Sequence, residues 1–220
     1  MADFCRLVIL ISGSGSNLQA FIDSIARGEL EARIVAVISN KADAGGLQRA
    51  ASAGIPTEVI DHKQFANREA FDTELCARVE SYRPDLVVLA GFMRILTPIF
   101  LRPFYGKLIN IHPSLLPKYP GLNTHQRALD AGDGTAGATV HFVTDELDGG
   151  PAILQASVPI QADDSAATIA ARVLVQEHRI YPLAAQWFAQ GRLQLRDHRA
   201  MLDSKPLPPT GFIFEKTAHE

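Results

Sequence analysis

Short apolar runs alternate with amphipathic stretches along the first half of the chain. Leu7-Val8-Ile9-Leu10-Ile11, Ile34-Val35-Ala36-Val37-Ile38 and Leu86-Val87-Val88-Leu89-Ala90 contain no polar residue. A strand covered on one face would alternate, so unbroken runs predict strands buried on both faces. Between the first two, Leu18, Phe21, Ile22 and Ile25 recur at helical spacing until Gly28 ends the pattern. A second helix is predicted over about 46–53, closed by Gly54, and a short strand near 57–60. Phe71, Leu75, Val79 and Tyr82 then line one face of a longer helix, and Pro84 precedes the third run. Strands alternating with helices in this way build a mostly parallel sheet with helices on both faces.

The second half reads differently. A strand over 107–111 runs into Pro113, which has no N–H and ends it. Strands over 138–143 and 153–160 are separated only by the acidic, Gly-rich turn 144–151. That leaves no room for a crossover helix, so they should pair antiparallel. A long helix is predicted over about 166–190, capped by Ser165, stopped by Gly191 and kinked at Pro182. The tail, about 198–220 with Pro206, Pro208 and Pro209, reads as an irregular strap. No repeat or low-complexity tract interrupts the pattern. The expectation is one α/β domain over 1–220, Rossmann-like, with antiparallel strands in its carboxyl-terminal half.

Composition narrows the function classes. At 220 residues and 47% hydrophobic content the chain can bury a full core in one domain. A net charge of −3 and a pI near 6.2 offer no general attraction to nucleic acid or to an anionic membrane. No apolar run approaches the roughly 20 residues of a membrane span. Met1 to Arg6 lacks the basic and apolar regions of a secretory signal. Cys5 and Cys76 fit free thiols in a reducing compartment, and the cytoplasm is the expected setting.

The candidate chemistry gathers at strand ends. In the 107–111 strand, alternation turns Asn110 and His112 to one side and Ile109 and Ile111 to the other. An amide beside an imidazole at the carboxyl end of such a strand suits carbonyl chemistry: one steadies an oxyanion, the other moves a proton. A strand that merely ends in polar residues is the plainer alternative. Ser12-Gly13-Ser14-Gly15-Ser16-Asn17 follows the first strand and opens a helix, whose free N–H groups suit an anion. Leu18 stands where a dinucleotide fingerprint needs its third glycine, and Ser39-Asn40-Lys41 replaces the acidic residue. A monophosphate is therefore the expected guest, with Ser16 and Asn17 adding hydrogen bonds; a plain tight turn remains the alternative.

Asp145, Glu146 and Asp148 crowd one turn, with Gly149 and Gly150 beside them. Asp145 and Glu146 read as solvated, whereas Asp148 becomes interesting if the turn folds over His112. Glu177 shares a helical stripe with Ile169, Val173 and Ile180, and a carboxylate facing a core needs a partner or a ligand. A buried ion pair is one reading and ligand hydroxyls are the other. His178 points elsewhere, to the surface. His141 reads as a half-buried strand residue, and His62, His198 and His219 as loop or tail positions. His112 and His125 could approach one another, but no cluster has metal-ligand spacing, and no metal is expected.

With these residues assembled, the chain resembles the phosphoribosylglycinamide (GAR) formyltransferase family of folate-dependent enzymes over essentially its full length. The matching segments are Ile11-Ser12-Gly13-x-Gly15-Ser16-Asn17-Leu18, Leu89-Ala90-Gly91-Phe92-Met93-Arg94-Ile95-Leu96 and Asn110-Ile111-His112-Pro113-Ser114-Leu115-Leu116-Pro117. The stretch 142–150 and Gln176-Glu177-His178 complete the set. The resemblance implies formyl transfer from 10-formyltetrahydrofolate to the glycinamide amine in purine synthesis, with no metal. It implies that Asn110 and His112 stabilise the intermediate and that Asp148 tunes His112 and helps remove a proton. Gly15, Ser16 and Asn17 would hold the phosphate and Glu177 the ribose hydroxyls. Met93, Arg94, Ile95, Leu96, Asn110 and the turn Thr144, Asp145, Glu146, Leu147 and Asp148 would hold the folate, with Arg68 and Arg94 on its carboxylates. The nucleotide-binding half would then cover about 1–105 and the folate-binding, catalytic half about 106–197.

Departures from the family pattern are Ser14, where Asn is frequent, Leu174, where some relatives carry Gln, and Asn123, where some carry His. The implied partners are two small molecules, with no nucleic acid and no membrane, and the chain is expected as a monomer or weak homodimer. Hydrolysis of 10-formyltetrahydrofolate at the same site is the nearest alternative. A nicotinamide-dependent oxidoreductase and a non-catalytic binding protein are more distant ones.

Overall fold

In the computed structural model, which describes residues 4–215, the apolar runs become the centre of one eight-stranded sheet. β1 (Cys5–Ile11), β2 (Ala32–Ser39), β3 (Thr57–Val59), β4 (Leu86–Leu89) and β5 (Leu108–His112) are all parallel and lie in the order β3-β2-β1-β4-β5. β6 (Thr135–Phe142) pairs antiparallel with β5, and β7 (Ala152–Pro159) antiparallel with β6. The chain moves from β1 outward to β3 and returns on the other side of β1 as β4. This reversal opens a crevice beyond the carboxyl ends of β1 and β4, where open α/β sheets bind ligands.

Alternation within the apolar runs serves two cores. Leu7, Ile9 and Ile11 face α1 (Ser16–Ala26) and α6 (Ala166–Ala189), in a cluster with Leu18, Phe21, Val173 and Tyr181. Val8 and Leu10 face the other side, with Phe71, Leu75 and Val79 of α3 (Arg68–Ser81) and Phe100 of α4 (Pro98–Leu101). The Tyr181 hydroxyl, fully buried, reaches Leu89 O at 2.9 Å and Ile109 O at 3.1 Å and so ties α6 to β4 and β5. α2 (Gly45–Ser52) and α5 (Thr124–Asp130) complete the helices. The Ser165 hydroxyl and Thr168 form a reciprocal capping box at the start of α6, which continues through Pro182.

The tail corrects the expectation of an irregular strap. β8 (Leu193–Arg196), β9 (Arg199–Leu202) and β10 (Lys205–Pro206) form a small antiparallel sheet, and β11 (Phe212–Phe214) joins the edge of the main sheet parallel to β7. Both hairpins turn on residues with positive φ, Asp197 and His198 in one and Asp203 and Ser204 in the other. Positive φ at both central positions gives the twist that two-residue hairpins need. Neither pair contains the glycine that usually advertises it. Pro206 sits at the end of a short edge strand, where a missing N–H costs little. His219 and the last few tail residues lie outside the described residues.

β6 begins three residues before the expected position, because Ala136 and Gly137 carry too little side chain to show a period. Gly137 is required there: a Cβ would lie 2.2 Å from Ala156 O on β7 and 2.6 Å from Leu115 Cδ2. Gly137→Ala is therefore expected to cost about 1–3 kcal/mol in denaturant unfolding, the usual range for overpacking. Gly134→Ala, with nothing within 4 Å of its Cβ, is the control. Equal stability of the two variants would contradict this packing.

Candidate active site

Asn110 and His112 project from the same side of β5, and register with β6 places His141 opposite Asn110 and Thr139 opposite His112. His141 is buried at 2% exposure, which corrects the half-buried expectation and brings a further residue into the site. Its Nδ1 lies 2.9 Å from Phe142 O, a pure acceptor, so Nδ1 carries the hydrogen. Burial pushes the His141 pKa down and keeps the ring neutral. Its Nε2 is then free to accept from Asn110 Nδ2 at 3.1 Å, which leaves Asn110 Oδ1 facing the other way.

His112 is held from two sides. Its Nε2 donates to Tyr119 O at 2.8 Å, and its Nδ1 lies 3.4 Å from Asp148 Oδ2. The same carboxylate oxygen accepts the Gly121 N–H at 2.9 Å, and Oδ1 lies 3.9 Å from His141 Nε2. Asp148 thus reaches His112 because the 144–150 turn folds back over β5, with Asp148 itself at φ +52°. Leu116 N donates to Thr139 Oγ1, and Gln155 Nε2 to Leu116 O, which fixes the loop after His112 to β6 and β7. Asp145, Glu146 and Leu147 are exposed, and Thr144 is half-buried.

Beside this group lies a cleft of about 150 Å³, lined by Phe92, Arg94, Ile95, Leu96, Asn110, His141 and residues 143–148. Met93 and Ile95 stand 67% and 58% exposed at its rim, an unusual outlay of apolar surface in water. The Arg94 guanidinium lies over the Phe71 ring, with Nε buried and unpartnered. Asp72, buried on α3, was not anticipated. It accepts the Thr97 N–H at 2.5 Å, and burial raises its pKa against the pull of Thr97, Arg94 and Arg68. Its signal was in the sequence, since it shares a helical stripe with Cys76 and Val79.

The first βα turn lies across the crevice. Gly15 caps α1 in the left-handed region at φ +71°, with no side chain satisfying the helix N–H groups. Asn17 is buried; its Nδ2 donates to Glu177 Oε2 at 2.8 Å, and its Oδ1 has no partner. Glu177 thus faces an amide rather than the cation of a buried ion pair. Burial raises its pKa, opposed by the Asn17 bond and by the charge of His112. Ser12 joins the turn to the cleft rim: it donates to Asn40 Oδ1 at 2.5 Å and accepts from Met93 N at 2.8 Å.

The remaining histidines divide. His178 is half-buried with its Nε2 unpartnered, not on the open surface as expected. His125 is half-buried, and burial together with nearby His112 pushes its pKa down. His62 meets Asn40 beneath the crevice. Among the described residues no group of three or more His, Cys, Asp or Glu is arranged to hold a metal, and no helix is long and apolar enough to cross a membrane.

Comparison with known proteins agrees with this arrangement. Residues 5–185 match the family model described as formyl transferase. Phosphoribosylglycinamide formyltransferase of Escherichia coli (strain K12) is 57% identical over 211 residues, covering 96% of this chain and 100% of that protein. The trifunctional purine biosynthetic protein adenosine-3 of Homo sapiens is 49% identical over 193 residues, covering 88% of this chain and 19% of that one. The solved structure of phosphoribosylglycinamide formyltransferase from Coxiella burnetii in complex with CHES superimposes with a TM-score of 0.93 at 50% identity. It covers 97% of this chain and 100% of its own.

The raised pKa of Glu177 has a consequence for stability. Its stabilising contribution is complete below the unfolded value of 4.5 and is lost as pH rises through the higher folded value. Glu177→Gln keeps a hydrogen-bond acceptor for Asn17 and removes the charge. Its melting temperature, followed between pH 4.5 and 8, is expected to gain on the wild type as pH rises. A relative loss with rising pH would show that the carboxylate is stabilised, not strained, by its surroundings.

Proposed function

The chain belongs to the formyl transferase family, and from that premise we propose that it transfers the formyl group of 10-formyltetrahydrofolate to the amine of phosphoribosylglycinamide. The products are formylglycinamide ribonucleotide and tetrahydrofolate, in purine biosynthesis. The observation that carries the reading is the Asp148 carboxylate seated 3.4 Å from His112 Nδ1, with Asn110 beside them at the mouth of an apolar-rimmed cleft. Two small-molecule substrates meeting there, in the cytoplasm, account for the absence of a general electrostatic attraction to polymers.

The amine nitrogen attacks the formyl carbon, a carbon–nitrogen bond forms, and the carbonyl electrons move to oxygen. The Asn110 amide and, once its Nε2–H turns from Tyr119 O to the substrate, the His112 ring stabilise that oxyanion. Collapse re-forms the carbonyl and breaks the bond to N10 of the folate. One proton leaves the amine, toward Asp148 directly or through water, and one reaches N10. The apolar rim of Met93, Ile95 and Leu147 suits the flat faces of the pterin and benzoyl groups, while Arg68 and Arg94 suit the glutamate carboxylates. Backbone N–H groups at Gly15, Ser16 and Asn17 suit the phosphate. Glu177 and the unpartnered Asn17 Oδ1 are both acceptors, which fits the donor hydroxyls of a ribose.

Purified protein given both substrates without added metal is expected to produce formylated amine and tetrahydrofolate in equal amounts. Folate release without amine formylation would replace this reading with hydrolysis. Asp148→Asn keeps an oxygen to accept from Gly121 and loses the charge opposite His112. It is expected to lower kcat by about 10²-fold or more, the range for loss of proton transfer, and to alter the pH profile of kcat. An unchanged profile would remove Asp148 from the proton chemistry.

A further inference from the structure

The turn that opens α1 does not hold its shape alone. Its outer side rests on the start of α2, where the Gly46 N–H donates to Gly13 O at 3.1 Å and the Arg49 Nε–H donates to Ser14 O at 2.8 Å. Arg49 Nη1 also reaches Gln19 Oε1 on α1 at 3.3 Å. The approach leaves no space for side chains: a Cβ on Gly46 would lie 2.6 Å from Ile11 Cδ1 and 3.1 Å from Gly15 Cα.

A trans peptide is planar, so its carbonyl and its N–H point in opposite directions. Holding the Gly13 and Ser14 carbonyls against α2 turns the N–H groups of Ser14 and Gly15 away from it. The Gly15 N–H is one of the donors that a phosphate at this turn needs. Arg49 is charged at any working pH and stands one peptide behind that N–H. A ligand at the turn is indicated independently by Asn17, only 8% exposed and with its Oδ1 buried and unpartnered.

We infer that Arg49 is the positioning residue that makes this turn selective for a phosphorylated acceptor, acting through the Ser14–Gly15 peptide without touching the phosphate. The inference rests on the reading above, in which a sugar phosphate occupies the turn. Without the guanidinium the Ser14 carbonyl is free to rotate and carries the Gly15 N–H with it. Flanking glycines at 13 and 15 offer that rotation little resistance. Asn110, His112 and Asp148 are left unchanged.

The test compares wild type with Arg49→Met on two acceptors, phosphoribosylglycinamide and the same molecule lacking phosphate. For the phosphorylated acceptor KM is expected to rise about tenfold, the size of one charge-assisted hydrogen bond, with kcat and the folate KM unchanged. For the unphosphorylated acceptor kcat/KM should not change. Inorganic phosphate, followed by its stabilisation of the folded protein against heat, should bind about tenfold more weakly to the variant. Arg49→Lys keeps the charge and loses the fork; it should fall between the two and covers the case in which Met destabilises the chain. Equal losses on both acceptors, or unchanged phosphate binding in both variants, would overturn the inference. The phosphate titration needs no turnover, so a protein that binds phosphate in an Arg49-dependent way and transfers no formyl group would refute the proposed function alone.

Discussion

A carboxylate withdrawn from water persists only where donors replace its hydration, and Asp148 organises the site around that requirement. The Gly121 N–H donates to it and the His112 ring faces it. Those partners come from two separate stretches, the end of β5 and the loop that follows it. Satisfying one carboxylate therefore brings together a loop, a turn and a strand. The same contact fixes which edge of the His112 ring points inward, because the other edge is already committed to Tyr119 O.

The two halves of the crevice are joined by similar economies. Ser12 lies in the first turn yet accepts from the backbone of Met93 at the cleft rim, and its own hydrogen goes to Asn40 at the end of β2. Asn17 bonds Glu177 on α6, and so ties the first turn to that helix. A small movement at either end is thus transmitted through buried polar groups, which tolerate displacement poorly. In the proposed reaction two substrates must be held within bonding distance, and these bonds join the turn proposed for the acceptor to the cleft proposed for the donor.

Much of this was legible in the chain, and the misses share a cause. The runs at 7–11, 34–38 and 86–90 announced a parallel sheet because burial on both faces removes every polar residue. Asn110 and His112 could be paired from the two-residue period of a strand, and Glu177 from a helical stripe. Asp72 carries the same stripe signal, masked by charged neighbours on α3. His141 could not be recognised from its own segment, since its role depends on the β5–β6 register that sets it opposite Asn110. The tail hairpins turn on Asp197-His198 and Asp203-Ser204, residues that adopt positive φ without advertising it. α4 spans only four residues, too few to show a period.

The central claim is that Asn110, His112 and Asp148 act as one unit on the same reacting atoms. The most direct measurement is a double-mutant cycle on kcat/KM with Asn110→Ala and Asp148→Asn. Residues that share a single transition state through one imidazole are strongly non-additive. The account predicts a double variant barely slower than the worse single one. Losses that multiply would show two independent contributions and contradict it.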